Sequence, residues 1–252
     1  MGSVAQLYSQ LTGVLAGFAL TAVFIVIAHF LGGAEPTGRR EEALRQALPV
    51  LVAAVLGLVF SSLTYCVVAA DGDNPGRALF EHCLAGVGFS VAGALLIFAA
   101  VLLVEGALPH DSAHYARRLL GQGAPLPMFG LLSEGVYAYG GAVHGGRAPG
   151  WLGVLVVGLL SVVAIVSVVG HVAYGRAELE GWRVRGRRTW LIAVGGLTVV
   201  TVCLLGVVVT MGVAGTGCSV PVGVVVAVLV TGFAAVIGSS CWLFVTRPGG
   251  EE

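Results

Sequence analysis

The chain has 252 residues, of which 57% are hydrophobic and only 10% charged, and its formal net charge is zero. Soluble domains usually carry about 25% charged residues, so this composition excludes an ordinary soluble protein and predicts one integral membrane domain over residues 1–252. The zero net charge predicts no nucleic-acid partner, and no basic run with interleaved aromatic residues lies outside the flanks of the apolar segments. All 13 basic residues are Arg, and the absence of Lys excludes a retinal or pyridoxal Schiff base.

Six apolar runs are long enough to cross a bilayer, which takes about 20 helical residues. None of them alternates as the strands of a transmembrane β-barrel do, so we expect α-helices. In chain order the predicted spans are 11–31, 48–70, 78–104, 151–173, 190–213 and 219–245. The sequence therefore predicts an all-α polytopic transmembrane bundle, placed in the cell membrane as a multi-pass protein.

The segment 126–146, LPMFGLLSEGVYAYGGAVHGG, is also long enough to cross, but it carries Glu134 near its centre. A central acidic residue costs about 2.5–3.5 kcal/mol on insertion scales, so this helix is unfavourable when exposed to lipid. It can cross only where neighbouring helices shield it or where it lines a watery cavity. A re-entrant segment and a surface loop are the two alternatives.

The distribution of Arg favours a crossing at 126–146, because cytoplasmic loops are enriched in basic residues. With six helices, the basic loops 32–47 and 174–189 would lie on opposite sides of the membrane. Seven crossings put both inside and place 11 Arg inside and 2 outside, whereas the best six-helix arrangement gives seven and six. The predicted topology is thus seven helices grouped as three, one and three, with the N-terminus outside and the C-terminus inside.

This three-one-three layout resembles the SWEET sugar transporters in architecture. At an offset of 140 residues, Gly-Val-Leu at 13–15 aligns with Gly-Val-Leu at 153–155. The resemblance implies a parallel repeat about an axis along the membrane normal, with the fourth helix as its linker. SWEET transporters have a proline-centred kink in the first helix of each triplet, and neither 11–31 nor 151–173 contains a proline. No residue role is therefore carried over.

Glu134 is the leading candidate for a functional side chain, because an ionisable residue inside a membrane usually marks a path or a binding site. Tyr137 lies three residues further on and shares its helix face. Tyr139 and His144 are further polar groups of the same segment. We expect these four side chains to line the path of a small solute or ion through a channel or transporter-like protein. If the segment lies at the surface, Glu134 is merely solvated.

A second candidate lies in EGALPHDSAHYARR, where His110 and His114 have the i, i+4 spacing of helical metal ligands. Asp111 stands where the zincin pattern has its general base. With Glu105, this cluster would serve a membrane-embedded enzyme that acts on a lipid or prenyl-like substrate at the cytoplasmic interface. The simpler interpretation is an interfacial helix with exposed histidines. A divalent metal here is the only cofactor that the sequence suggests.

The basic loop 174–189 has two interpretations. It can bind anionic lipid headgroups through its clustered arginines, or it can simply mark the cytoplasmic side. The arginines concerned are Arg183, Arg185, Arg187 and Arg188. Abundant Gly and Ala on the helices permits tight packing and a homo-oligomer. A third functional alternative is a non-catalytic membrane partner or immunity-type subunit, which needs no site.

The remaining polar residues of the six strong helices give little chemistry. These helices have almost no ionisable residue at mid-depth, and we expect their Ser and Thr to be structural. Five Cys show no C-x-x-C spacing, so a redox or zinc-ribbon motif is unsupported. Cys66 and Cys83 are predicted near the outer ends of neighbouring helices, either as a disulfide or as buried thiols.

Overall fold

The computed structural model describes residues 2–31, 38–70, 75–107 and 192–206, and all four stretches are helical apart from Gly38. The helices are α1 (Gly2–Leu31), α2 (Arg39–Ala70), α3 (Pro75–Ala107) and α4 (Ile192–Gly206). By length and apolar composition the first three can cross a membrane, over Ala5–Phe30, Glu41–Ala70 and Phe80–Val104. These apolar helices make the chain a membrane protein. The predicted spans 126–146, 151–173 and 219–245 lie outside the described residues.

The first two helices begin earlier than the apolar runs predict. α1 starts at Gly2, although its run starts at residue 11, and α2 starts at Arg39, inside the predicted loop 32–47. The added turns of α2 read RREEALRQAL, a series of strong helix formers. Glu41 and Glu42 stand in its first turn, where carboxylates interact favourably with the helix dipole. Both helices therefore extend beyond their predicted spans, because an apolar run shows where a helix meets lipid and not where the helix begins.

α2 is the central helix of the described bundle, because it packs along both α1 and α3 while those two barely touch. α1 and α2 are antiparallel. Ser9, near the start of α1, contacts Ser62 near the end of α2. At the other end, Val26 of α1 belongs to the same buried cluster as Ala47 and Val50 of α2. The described helices therefore form an up-down-up arrangement with α2 in the middle.

α4 packs against α3 in the opposite direction. Gly196, in the first half of α4, lies against Leu95 in the second half of α3. Gly206, at the end of α4, lies against Leu84 near the start of α3. As numbers rise along α4, the numbers of its α3 partners fall, so α4 runs in the same direction as α2.

The described helices differ in how much of their surface faces outward. Only 28% of the apolar stretch of α1 is buried inside the structure, whereas 67% of the apolar stretch of α3 is buried. The outward face of α1 carries a row of exposed large apolar side chains: Leu7, Leu11, Val14, Phe18, Phe24 and Ile25. In a bilayer such a face contacts lipid, so α1 lies at the edge of the described bundle and α3 in its interior.

Gly57 marks a close approach between α2 and α3. A Cβ at this position would lie 3.0 Å from the Cβ of Ala92 and 3.5 Å from Val200. Because the Ala92 Cβ is fixed to the backbone of α3, Gly57→Ala has to push the helices apart, and such overpacking costs about 1–3 kcal/mol. We expect Gly57→Ala to lower the free energy of unfolding by about 1 kcal/mol, measured by SDS titration in mixed micelles.

The matched control is Gly17→Ala on α1, where an added Cβ meets no atom within 4 Å. Ala has the higher helix propensity, by about 1 kcal/mol at most. Gly17→Ala should therefore leave stability unchanged or raise it slightly. Equal unfolding free energies for the two variants would contradict the tight α2–α3 contact.

Candidate functional site

Four aromatic side chains meet where α1 begins, α2 ends and α3 begins. The rings of Tyr8 and Tyr65 stack with their centroids 5.3 Å apart. The His82 ring lies 5.9 Å from Tyr8 and 5.6 Å from Tyr65. Phe89 lies 6.4 and 6.5 Å from the same two rings. These separations fall within the favourable range for aromatic pairs. We call Tyr8, Tyr65, His82 and Phe89 the aromatic cluster.

Glu81, next to His82 in sequence, is fully buried, with 0% of its surface exposed. Helical register places it about one turn before Leu84 and two turns before Gly88. Leu84 lies against α4, and Gly88 lies against both Ser61 of α2 and α4. Glu81 therefore shares the face of α3 that packs on these two helices. Among the described residues, it is the only acidic or basic side chain in the buried set.

The position of Glu81 points to a functional role. It is the second residue of the candidate span Phe80–Val104, so it lies near one end of the membrane-crossing part of α3. The cost of its position comes from burial, because taking a carboxylate out of water into the packed interior is unfavourable wherever it lies along the helix. Ionisable side chains that remain at such places commonly bind ions or substrates, or carry protons.

Ser90 extends the polar face of α3 into the bundle. His82, Gly86 and Ser90 are spaced by four residues and so share one side of α3. The Tyr65 hydroxyl lies 3.8 Å from the Cβ position of Gly86, which directs it to this side. Ser90 is fully buried, and its Oγ has no hydrogen-bond partner among the described residues. A buried hydroxyl of this kind can bind a water molecule or a ligand.

Polar contacts hold α1 against α2 beside the aromatic cluster. The Oγ atom of Ser9 lies 3.2 Å from the Oγ atom of Ser62 and 3.0 Å from the Sγ atom of Cys66. The Ser62 hydroxyl also donates to the carbonyl of Ser9 at 3.0 Å. Interhelical hydrogen bonds of this type contribute about 0.6 kcal/mol each in membrane proteins. Together they fix the register that brings Tyr8 against Tyr65.

The sequence predicted either a disulfide between Cys66 and Cys83 or two thiols. In the structure neither residue is in a disulfide, so both are thiols. Cys83 is buried in the core of the bundle, as expected. Cys66 is exposed and contacts Ser9, so its predicted burial was wrong. The physical reason is helical register: Cys66 shares the outward face of α2 with the exposed residues Val59 and Leu63, at the edge that adjoins α1.

Sequence reasoning missed Glu81 and the aromatic cluster. A signal was present, since the letters FEHC place two ionisable residues inside an apolar run. The prediction considered ionisable residues only near the middle of each span, whereas Glu81 and His82 lie near one end of theirs. Tyr8 also lay outside the predicted first span, 11–31, and it reaches the cluster only because α1 begins at Gly2.

The residues predicted as sites lie outside the described residues, and their roles stay predictions. They are Glu134, Tyr137, Tyr139 and His144 for the path, His110, Asp111 and His114 for a metal, and Arg183, Arg185, Arg187 and Arg188 for lipid headgroups. Within the described ranges, no three or more His, Cys, Asp or Glu side chains form a group that could hold a metal ion.

No family model, curated protein or solved structure matches this chain. The assignment of a function therefore rests on the chemistry of the bundle itself.

Proposed function

We propose that this multi-pass protein passes a small solute or ion across the cell membrane, with Glu81 at one end of the path. The observation that carries the proposal is the complete burial of this carboxylate in an apolar bundle. Helices that only anchor a protein in lipid have no need of such a group, which is costly to insert and easily replaced. Its neighbour His82 and the Tyr65 hydroxyl add polar groups at the same end.

The direction of α4 supports a second part of the proposal, a crossing by 126–146. α4 begins at the end of the bundle where α3 finishes, since Ala193 shares a buried cluster with Phe98 and Leu102. A chain that leaves and re-enters at one side of a membrane crosses it an even number of times. In this proposal the apolar run 151–173 supplies one of two crossings, and 126–146 is the one remaining segment long enough for the other.

In this proposal Glu134, Tyr137, Tyr139 and His144 line the path inside the bundle. With the N-terminus outside, the aromatic cluster and Glu81 stand at the outer entrance. A solute that enters loses water, and carboxylate and hydroxyl oxygens replace the lost hydrogen bonds. Headgroup binding by the basic loop 174–189 and assembly into a homo-oligomer belong to the same proposal, while contact with the lipid bilayer follows from the apolar helices.

Flux through liposomes tests the function. The purified full chain is reconstituted and compared with protein-free liposomes, with H⁺, Na⁺, K⁺ and glucose as separate probes. We expect at least one probe to cross faster in the presence of the protein. Equal rates for all probes would reject the path and favour a non-catalytic membrane partner.

Topology is testable separately from flux. In a chain whose five native Cys are replaced by Ser, we expect Ser112→Cys and Ala148→Cys to react with a membrane-impermeant maleimide from opposite sides, because 126–146 lies between them. Ala148→Cys should label in intact cells and Ser112→Cys only after lysis. Thr37→Cys, in the basic loop 32–47, is the control for the inner side. Labelling of positions 112 and 148 from the same side would rule out the seven-helix topology.

A further inference from the structure

Ser90 differs from the other buried hydroxyl side chains of the described helices. Thr12, Ser61 and Thr64 each donate to the carbonyl oxygen four residues earlier in their own helix, at 2.7, 2.8 and 2.7 Å. Helical hydroxyls commonly bond in this way. Ser90 is 0% exposed, and within the described ranges its Oγ atom bonds neither the Gly86 carbonyl nor any other group. Its hydroxyl is therefore available for a further hydrogen bond.

Gly86 leaves the side of α3 next to Ser90 without a side chain. Among the described residues, one atom would lie within 4 Å of a Cβ at Gly86, the hydroxyl oxygen of Tyr65 at 3.8 Å. Residues four apart on a helix have Cβ positions about 5–6 Å apart, a span that water-mediated hydrogen bonds cover. The Tyr65 hydroxyl, the Gly86 carbonyl and the Ser90 hydroxyl supply the two to four partners that a buried water usually takes, roughly.

The polar groups at the start of α3 all exchange protons. His82 lies one turn before Gly86 on the same side of the helix, and its ring centroid is 5.6 Å from that of Tyr65. Glu81 is its neighbour in the chain. Imidazole and hydroxyl groups both donate and accept hydrogen bonds, and a carboxylate accepts a proton. Chains of such groups carry protons in membrane pumps and transporters.

The packing around these groups favours a proton over a larger solute. The Tyr8 and Tyr65 rings stack with their centroids 5.3 Å apart, and Tyr65, Glu81 and Ser90 are at most 2% exposed. Na⁺ and K⁺ exchange their hydration shells for several oxygens that line a pore. A proton requires only a row of hydrogen bonds, because each transfer breaks one O–H or N–H bond and forms the next one.

We infer that the solute is the proton, and that water held by Ser90 beside Gly86 relays it from the Tyr65 hydroxyl. This inference rests on the proposed function and narrows it to one ion. Each hydroxyl and water gives up one proton as it receives another, so every group ends the passage as it began. The transfer consumes no other reactant.

The depth of Ser90 fits this role. It lies ten residues after Phe80, the start of the candidate span, which is about 15 Å along α3. Half of the hydrocarbon core has about the same thickness. The relay therefore ends near mid-depth, which is the depth proposed for Glu134.

Proton flux into liposomes tests the inference. The purified full chain is reconstituted around a pH-sensitive dye, and valinomycin with K⁺ holds the membrane potential constant. We expect H⁺ to cross faster than in protein-free liposomes, and Na⁺, K⁺ and glucose, assayed separately without valinomycin, to cross at the protein-free rate. Flux of one of these three without H⁺ would overturn the inference and leave the proposed function standing. No flux of any probe would reject both.

Variants assign the relay to Ser90 and Gly86. Ser90→Ala and Gly86→Ala should each lower the H⁺ rate by about tenfold. Both should fold, because Ser90→Ala removes a hydroxyl without a described partner and the added Cβ of Gly86→Ala makes an ordinary contact. Ser61→Ala is the control, since its hydroxyl bonds its own helix. A wild-type H⁺ rate in Ser90→Ala or Gly86→Ala, or an equal loss in Ser61→Ala, would overturn the relay.

Discussion

Replacement of Glu81 by Gln is expected to reduce flux at least tenfold while the protein still folds. Gln keeps the size and much of the hydrogen bonding of Glu, but it carries no charge and exchanges no proton. A hydrogen bond to a charged group contributes about 1.5–3 kcal/mol, and 1.4 kcal/mol corresponds to a factor of ten. The measurement is the initial rate of whichever probe the wild-type protein passes in liposomes.

Two further variants separate function from folding at Glu81. Glu41→Gln removes the same charge from a partly exposed position paired with Arg45, so its flux should equal that of the wild type. Glu81→Asp keeps the charge and should retain more flux than Glu81→Gln. Wild-type flux in Glu81→Gln would show that the carboxylate is structural and would remove the main support for the proposed path.

Glu134→Gln is the second large effect that we expect, with a reduction in flux of at least tenfold. The reason is the same as for Glu81, because the substitution removes a charge-assisted contact with the solute. Glu134 lies at the centre of the proposed fourth crossing. The variant should insert at least as well as the wild type, because the cost of burying a central acidic residue is removed. Flux and the amount of folded protein are measured on the same preparation.

The matched control for Glu134 is Glu178→Gln, in the predicted basic loop 174–189. Both substitutions remove one negative charge, but a loop carboxylate contributes nothing to a path through the bundle. Flux should stay at the wild-type level in Glu178→Gln. Unchanged flux in both variants would place 126–146 at the surface and leave Glu134 merely solvated.

The existence of α1, α2 and α3 could be predicted from sequence, because long apolar runs have few other stable forms in a membrane. The residues at which these helices begin could not be predicted in this way. The turns at 39–47 are polar, and their helicity follows from good helix formers and acidic residues in the first turn. Hydropathy measures the free energy of transfer into lipid. It includes neither helix propensity nor the interaction of acidic residues with the helix dipole.

The packing of the helices could not be predicted from the same patterns. In a soluble protein, polar and apolar faces show which side of a helix is buried. In lipid both sides are apolar, so small residues mark the contacts instead. Gly57 and Gly196 make such contacts with Ala92 and Leu95, whereas Gly17 faces open space. Sequence alone does not distinguish these glycines.

The aromatic cluster illustrates why the site was harder to predict than the fold. Tyr8, Tyr65 and His82 come from three helices, and nothing in any one segment shows that the three rings meet. Their meeting depends on the register between α1 and α2 and on the early start of α1. Glu81 was different, because a carboxylate in an apolar run is visible in the sequence.

The attachment of α1 has a consequence for motion. Within the described part of the chain, α1 is held mainly by α2, and α3 adds the ring contacts of His82 and Phe89 with Tyr8. A helix with one main neighbour can tilt about that contact while α2, α3 and α4 keep their packing. Tilting would slide Ser9 past Ser62 and Cys66 and draw the Tyr8 ring away from Tyr65. The aromatic cluster would thus open through the movement of a single helix, once the polar contacts of Ser9 with α2 are released.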